Sequence, residues 1–281
     1  MIVIRRTFSL ILQCMIAIEI LIFIGVFPVL FANLSFNLKQ YLQTVYQVSV
    51  RLFTFKLFTL NGHISLFPSI FARYLDSMRI LGLGIIVASI IAFLFAYLAL
   101  ILFRKRINVF KKLLELAESI PDLMFILLLQ MAVILLYKKT GIKIAQVVTF
   151  REKTILLPVI SIAVPISFYI TKVLIHHIEE ELEKNYITLA KSKGFSFFYI
   201  LNIHVLRNIA EGMFGTSKTI FWSMLSTLLV IDYLFNMNGL LRMMLSGTDA
   251  FIIGSILIFI PFFILYRIYE WLSFDNRKDI N

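Results

Sequence analysis

The chain has 281 residues, 60% of them hydrophobic and only 15% charged, with a mean hydropathy of +0.92. Soluble domains carry about 25% charged residues, so this is membrane composition. The net charge of +11 is scattered between apolar runs, which suits topology signals and anionic headgroups rather than nucleic acid. A single cysteine, Cys14, excludes an intramolecular disulfide and a cysteine-based metal cluster within one chain.

Residues 1–31 open with a short basic start, including Arg5 and Arg6, followed by an apolar run from Phe8 to Phe31. That run exceeds the roughly 7–15 residues of a signal-peptide core, and no small-x-small cleavage site follows, so it reads as a retained first span. Glu19 in mid-span is expected to face protein or water, because a carboxylate facing lipid is costly. Residues 32–78, with Asn61-Gly62 and Pro68, are mixed and polar and are expected outside the cytoplasm.

Arg79 to Phe103 reads as the second span, where Gly82 and Gly84 suit close helix packing. Arg104 to Glu118 is a basic, partly amphipathic loop. Pro121 opens a short third span reaching Tyr137, since proline is tolerated at a helix start. After an outer loop, Lys138 to Lys153, comes a fourth span from Ile155 to Ile175, expected to be kinked by Pro158 and Pro165. Gly215 to Phe235 reads as the fifth span, Asn236 to Asp249 as an outer loop and Ala250 to Ile268 as the sixth. Arg267 and Glu270 read as snorkelling anchors, ahead of a polar tail at 271–281. The expected fold class is all-α, with about six transmembrane helices. Most of them lie in a transmembrane domain at 79–270.

The loop at 176–214 is not a passive connector. A helix-friendly segment, Glu179 to Lys193, ends at Gly194, the residue best able to take a left-handed closing turn. Ser196 then offers an N-cap oxygen to a second, mostly apolar segment from Phe197 to Leu206. Helix, sharp turn and helix make a compact knob, with Phe195, Phe197 and Phe198 at the corner as candidate apolar anchors. Lys191, Lys193 and Arg207 are candidate rim charges.

The residues Tyr186-Ile187, Ala190, Lys193-Gly194 and His204-Val205-Leu206-Arg207-Asn208 resemble a known signature. It is the cytoplasmic loop of binding-protein-dependent ABC importer permeases, in the peptide/nickel branch. The positions of the family's Glu-Ala-Ala are Thr188, Leu189 and Ala190, so only the last Ala is kept. Ile4-Arg5-Arg6 and Leu156-Leu157-Pro158 with Pro165 are similar to the family's opening and fourth span. Asp232, Phe235, Gly239-Leu240 and Arg242 resemble its stretch after the fifth span, with Asp for Glu, Asn238 for Pro and Leu241 for the second Gly.

The resemblance implies a type I importer permease fold in the cell membrane, with both termini cytoplasmic. The Lys/Arg distribution alone favours that orientation only slightly. It also implies a second permease subunit, two cytoplasmic ATPases and an extracytoplasmic binding protein, alongside membrane lipids. ATP and Mg would be bound by the ATPases and no cofactor by this chain. The ATPase-coupling residues would be Tyr186, Thr188, Leu189, Ala190, Lys193, Gly194, Phe195, Phe198, His204, Leu206, Arg207 and Asn208. Candidates for the pathway and its outer gate are Gly82, Gly84, Ser223, Ser226, Thr227, Asp232, Gly239 and Arg242.

His176 and His177 stand at helical spacing to Glu180 and Glu181, which could bind a metal, but a hydrated, locally paired helix is the simpler account. Asp232 could meet a cationic substrate or only bond to the following turn, the favoured reading. The chain has no G-x-x-x-x-G-K-[ST] phosphate loop and no nucleophile–base constellation, so no enzyme is expected. Two alternatives stay open. One is a secondary transporter using Glu19 and Asp232 as ion sites, and the other is a membrane sensor built on a permease scaffold.

Overall fold

The computed structural model describes residues 2–54, 56–60, 64–103, 106–148 and 154–278. Asn61-Gly62, the start of the basic loop at Arg104-Lys105, the end of the outer loop at 149–153 and the last tail residues lie outside that description. So do the side chains of Arg5, Arg6 and Glu270.

Helices follow one another along the chain: α1 (Ile2–Val26), α2 (Leu38–Phe53), α3 (Phe67–Leu102), α4 (Ile107–Glu118), α5 (Asp122–Thr140) and α6 (Leu156–Leu182). Then come α7 (Asn185–Ser192), α8 (Phe197–Tyr199), α9 (Leu206–Leu234), α10 (Leu240–Met244) and α11 (Thr248–Lys278). Thr59–Leu60 and Ile64–Ser65 pair antiparallel, with Thr59 opposite Ser65. Six helical stretches among the described residues are long and apolar enough to cross a membrane. They are Phe8–Phe31, Phe67–Leu102, Asp122–Thr140, Leu156–Leu182, Gly212–Leu234 and Thr248–Tyr269. The all-α, six-span expectation therefore holds, and the protein is a multi-pass membrane protein.

Several boundaries differ from those expected. The second span begins at Phe67, twelve residues before Arg79. Arg73, Asp76 and Arg79 lower the local hydropathy without breaking the helix. The basic segment is itself a helix, α4. The third span runs on past Tyr137 to Thr140, where Gly141 (φ 70°) closes it. Pro158 lies in the first turn of α6, where the N–H has no intrahelical partner, so only Pro165 is an interior proline.

The chain divides into two compact units, residues 1–76 with 238–281, and 77–237. In the first, α1 lies against α11 so closely that a Cβ on Gly25 would come within 2.9 Å of Phe251 and Ile252. The helix α2 is amphipathic and turns Tyr41, Val45 and Val48 inward. Tyr41 donates to the Phe23 carbonyl at 3.0 Å, and Ser49 donates to Glu19 at 3.0 Å. Glu19 is thus met by protein, as expected of a mid-span carboxylate. Arg51 pairs with Asp249 at 2.6 Å. Arg267 donates to Gln13 and lies over the Phe263 ring, a fixed contact rather than a free snorkelling end.

In the second unit, α6 is the central helix: 61% of its most apolar stretch is buried, against 11% for α5. Ile162, Ile166, Ile170, Leu174, Ile178 and Glu181 step along its buried face at three- or four-residue intervals. Lipid tails are as apolar as leucine, so close approach rather than water exclusion must hold such helices together. On α3, buried Gly84, Ala88, Ala92 and Ala96 recur every fourth residue and allow that approach. A Cβ on Gly84 would lie 2.5 Å from Ile162, whereas none of the described residues stands within 4 Å of one on Gly82. Only Gly84 of that pair is a packing glycine within the chain. Two ion pairs, Lys111–Glu179 and Lys172–Glu118, tie α4 to α6.

Candidate functional site

The knob at 176–214 is built by local rules. Lys193 ends the helical geometry of α7, and Gly194 takes φ 84°. Gly194 N–H donates to the Lys191 carbonyl at 3.0 Å, and Phe195 N–H to the Ala190 carbonyl at 3.3 Å. These two bonds form a Schellman motif, which satisfies carbonyls that a helix end leaves over. Ser196 then caps the next helix, its Oγ accepting from Tyr199 N–H at 3.3 Å. The left-handed corner and the cap stand where the sequence placed them.

The two arms differ from expectation. Glu179 to Lys193 is not one helix: α6 ends at Leu182, and Lys184 is extended (ψ 147°) before α7 begins. The second arm is not a separate short helix either. From Phe197 it passes through a wide π turn at Ile200–Val205 straight into α9, so it is continuous with the fifth span. Such π turns recur at functional sites. Ile200, Leu201 and Val205 are buried there, and they anchor the root of the arm.

Between the arms lies Glu181, which the sequence suggested only as a partner of the neighbouring histidines. Glu181 is 5% exposed. Tyr186 hydroxyl donates to its Oε1, Asn208 Nδ2 donates to the same oxygen at 3.2 Å, and Lys184 Nζ reaches Oε2 at 2.6 Å. Asn208 Nδ2 also donates to the Tyr186 hydroxyl at 2.8 Å. Burial raises the Tyr186 phenol above its ordinary pKa, and its bond to Glu181 adds to the shift. The same carboxylate holds Lys184 above the ordinary lysine value. The signal in the sequence was periodicity: Glu181 falls three residues after Ile178, on the buried face of α6.

The crest of the knob is exposed and apolar. Leu189, Phe195, Phe198 and Tyr199 all face outward, whereas Ile187 and Ala190 are buried and Phe197 is half-buried. Phe195 stacks on Tyr199 with centroids 4.8 Å apart, and His204 meets both rings and that of Tyr186. Thr188, Lys193 and Arg207 are exposed, and Leu206 is half-buried. The expected coupling residues therefore share one knob, although Ala190 contributes packing rather than surface.

The pathway candidates are not one constellation. Ser223 and Thr227 line a cavity of about 270 Å³ with Glu118, Asp122, Tyr169 and Thr219. Thr227 donates to Asp122 at 2.7 Å. Ser226 is exposed and does not line the cavity. Asp232 is fully buried, and its backbone carbonyl accepts from Met237 N–H at 3.1 Å. Gly239, extended at φ −78°, and exposed Arg242 belong to the other compact unit. His176 and His177 each meet Glu180, at 3.3 and 3.4 Å, while Glu181 is turned to the arms. Among the described residues no group of three or more His, Cys, Asp or Glu is arranged to hold a metal ion.

The family of inner membrane components of binding-protein-dependent transport systems matches residues 84–277. The chain belongs to that family and is an ABC importer permease, a membrane transport component. No curated protein sequence matches it.

Proposed function

We propose that this permease is of the peptide/nickel type, and that it forms a translocation pathway together with a second permease subunit. The knob at 176–214 is its coupling element, resting in a groove of a cytoplasmic ATPase that binds ATP and Mg. A binding protein outside delivers a peptide or a related small solute, and both termini lie in the cytoplasm.

One observation carries this reading: an exposed aromatic crest is joined without a break to a membrane span. Closure of the ATPases would push on Leu189, Phe195 and Phe198. The arm at Phe197–Val205 would then carry that push into α9 as one rod, because no loop intervenes to absorb it. Rigid-body movement of packed helices is a recognised route to alternating access. The cavity beside α9, with its hydroxyls and two carboxylates, supplies a polar lining for a solute.

The test places a single cysteine at Ser223 in a Cys14→Ala chain assembled with its co-encoded ATPases and permease partner. Its reaction with an aqueous thiol reagent is expected to change between nucleotide-free and ATP-trapped states. Uniform protection in both states would contradict the pathway assignment.

A further inference from the structure

Glu181, Tyr186 and Asn208 are brought together from three segments: the end of α6, the start of α7 and the start of α9. We propose that Glu181 is the positioning residue of the knob, its buried carboxylate locking the α7 arm to the root of α9. The proposal's use in transport rests on the coupling reading above, but the lock itself does not.

The argument is one of satisfied valence. A carboxylate that is 5% exposed needs donors, since a buried charge without them is strongly disfavoured. Its donors come from both arms, Tyr186 and Lys184 on one side and Asn208 on the other. Asn208 closes a three-membered ring by donating to the Tyr186 hydroxyl as well. Each contact is thereby charge-assisted or strengthened by its neighbour. Without the carboxylate, the polar tie between α7 and α9 would be reduced to the Asn208–Tyr186 hydrogen bond, beside the burial of Ile187 and Ala190 and the ring contact of Tyr186 with His204 in the π turn. The helix breaks at extended Lys184, where one long backbone bond, Lys184 N–H to the Glu181 carbonyl at 3.3 Å, spans the joint, so the angle of α7 depends on side-chain contacts as well. Lys111 pairs with Glu179 from the other side, so the end of α6 is itself held and can act as the fixed point.

Hydrogen bonds to charged groups contribute enough that losing them shifts the ratio of locked to unlocked arms by roughly 10- to 100-fold. The experiment uses the full transporter in proteoliposomes, with spin labels on exposed Lys191 and Ile203, one on each arm, in the Cys14→Ala chain. Glu181→Gln is expected to broaden the distance distribution and to lower ATP-driven transport about tenfold or more, with normal amounts in the membrane. The double variant Glu181→Gln, Asn208→Asp moves the carboxylate across the same contact. It is expected to restore both the distance and most of the transport, a rescue that a general folding defect would not show. Tyr186→Phe, which keeps the ring against His204, serves if Glu181→Gln fails to accumulate and is expected to broaden the distribution less. An unchanged distribution in either single variant would overturn the lock. Broadened arms with undiminished transport would uphold the lock and overturn the coupling reading.

Discussion

The helical run from Phe197 to Leu234 is entered through one corner and left through another, and the two are closed differently. At the entry, one glycine at φ 84° is fixed by two main-chain bonds and followed by a serine cap. At the exit, two asparagines take the left-handed region, Asn236 at φ 51° and Asn238 at φ 53°. Asn236 N–H bonds to the Tyr233 carbonyl at 3.2 Å, and Arg73 donates to both oxygens of Asn238. Asparagine reaches positive φ at moderate cost, whereas β-branched residues do so only with strain. The entry corner is thus the more demanding of the two, and it is the one that aims an exposed crest.

The largest effect is expected from Gly194→Val. None of the described residues lies within 4 Å of a Cβ there, so its cost is conformational rather than a clash, about 1–2 kcal/mol for the left-handed turn. The variant should reach the membrane, lose ATP-driven transport and recover less ATPase on purification. Gly194→Asn should retain most of both, because asparagine tolerates this region. Equal damage from Val and Asn would show that the corner matters for something other than its backbone angle.

Ser196→Ala comes next. It removes the only side-chain cap of the second arm, at a cost of about 0.5–2 kcal/mol. A lowered thermal midpoint of the detergent-purified chain, with partial loss of transport, is the expected result. At the exit corner, Asn236→Gly should change stability by no more than about 0.5 kcal/mol, and so move the same midpoint less, as relief of strain offsets the added chain entropy. A larger loss there than at Ser196 would reverse the ranking of the corners.

What the sequence displayed and what it hid follow from the range of the interactions. Gly194 and Ser196 were legible because their roles are set by neighbours within five residues. The six spans were legible as apolar runs. The early start of α3 was hidden because Arg73, Asp76 and Arg79 make its first turns polar, although Arg73 is held by Asn238 far along the chain. The continuity of α9 was hidden by Gly212 and Gly215, which weaken a helix locally but do not end this one, anchored by buried Ile209 before them and buried Ile220 and Phe221 after them. The Glu181 contacts were hidden altogether, since they join residues up to 27 positions apart. Ser223 and Ser226 looked equivalent in the sequence, yet only Ser223 lines the cavity.

The central claim is that the exposed crest meets an ATPase. Its most direct measurement is site-specific photo-crosslinking in the membrane, with the photoreactive residue placed in turn at Leu189 and at Phe198. Trp222 on the fifth span, equally exposed, serves as the control position. The account predicts an adduct from both crest positions whose partner is an ATP-binding subunit, identified by its phosphate-loop peptide in the mass spectrum, and none from Trp222. Adducts with lipid alone at the crest, or an equal yield of ATPase adduct from Trp222, would contradict it.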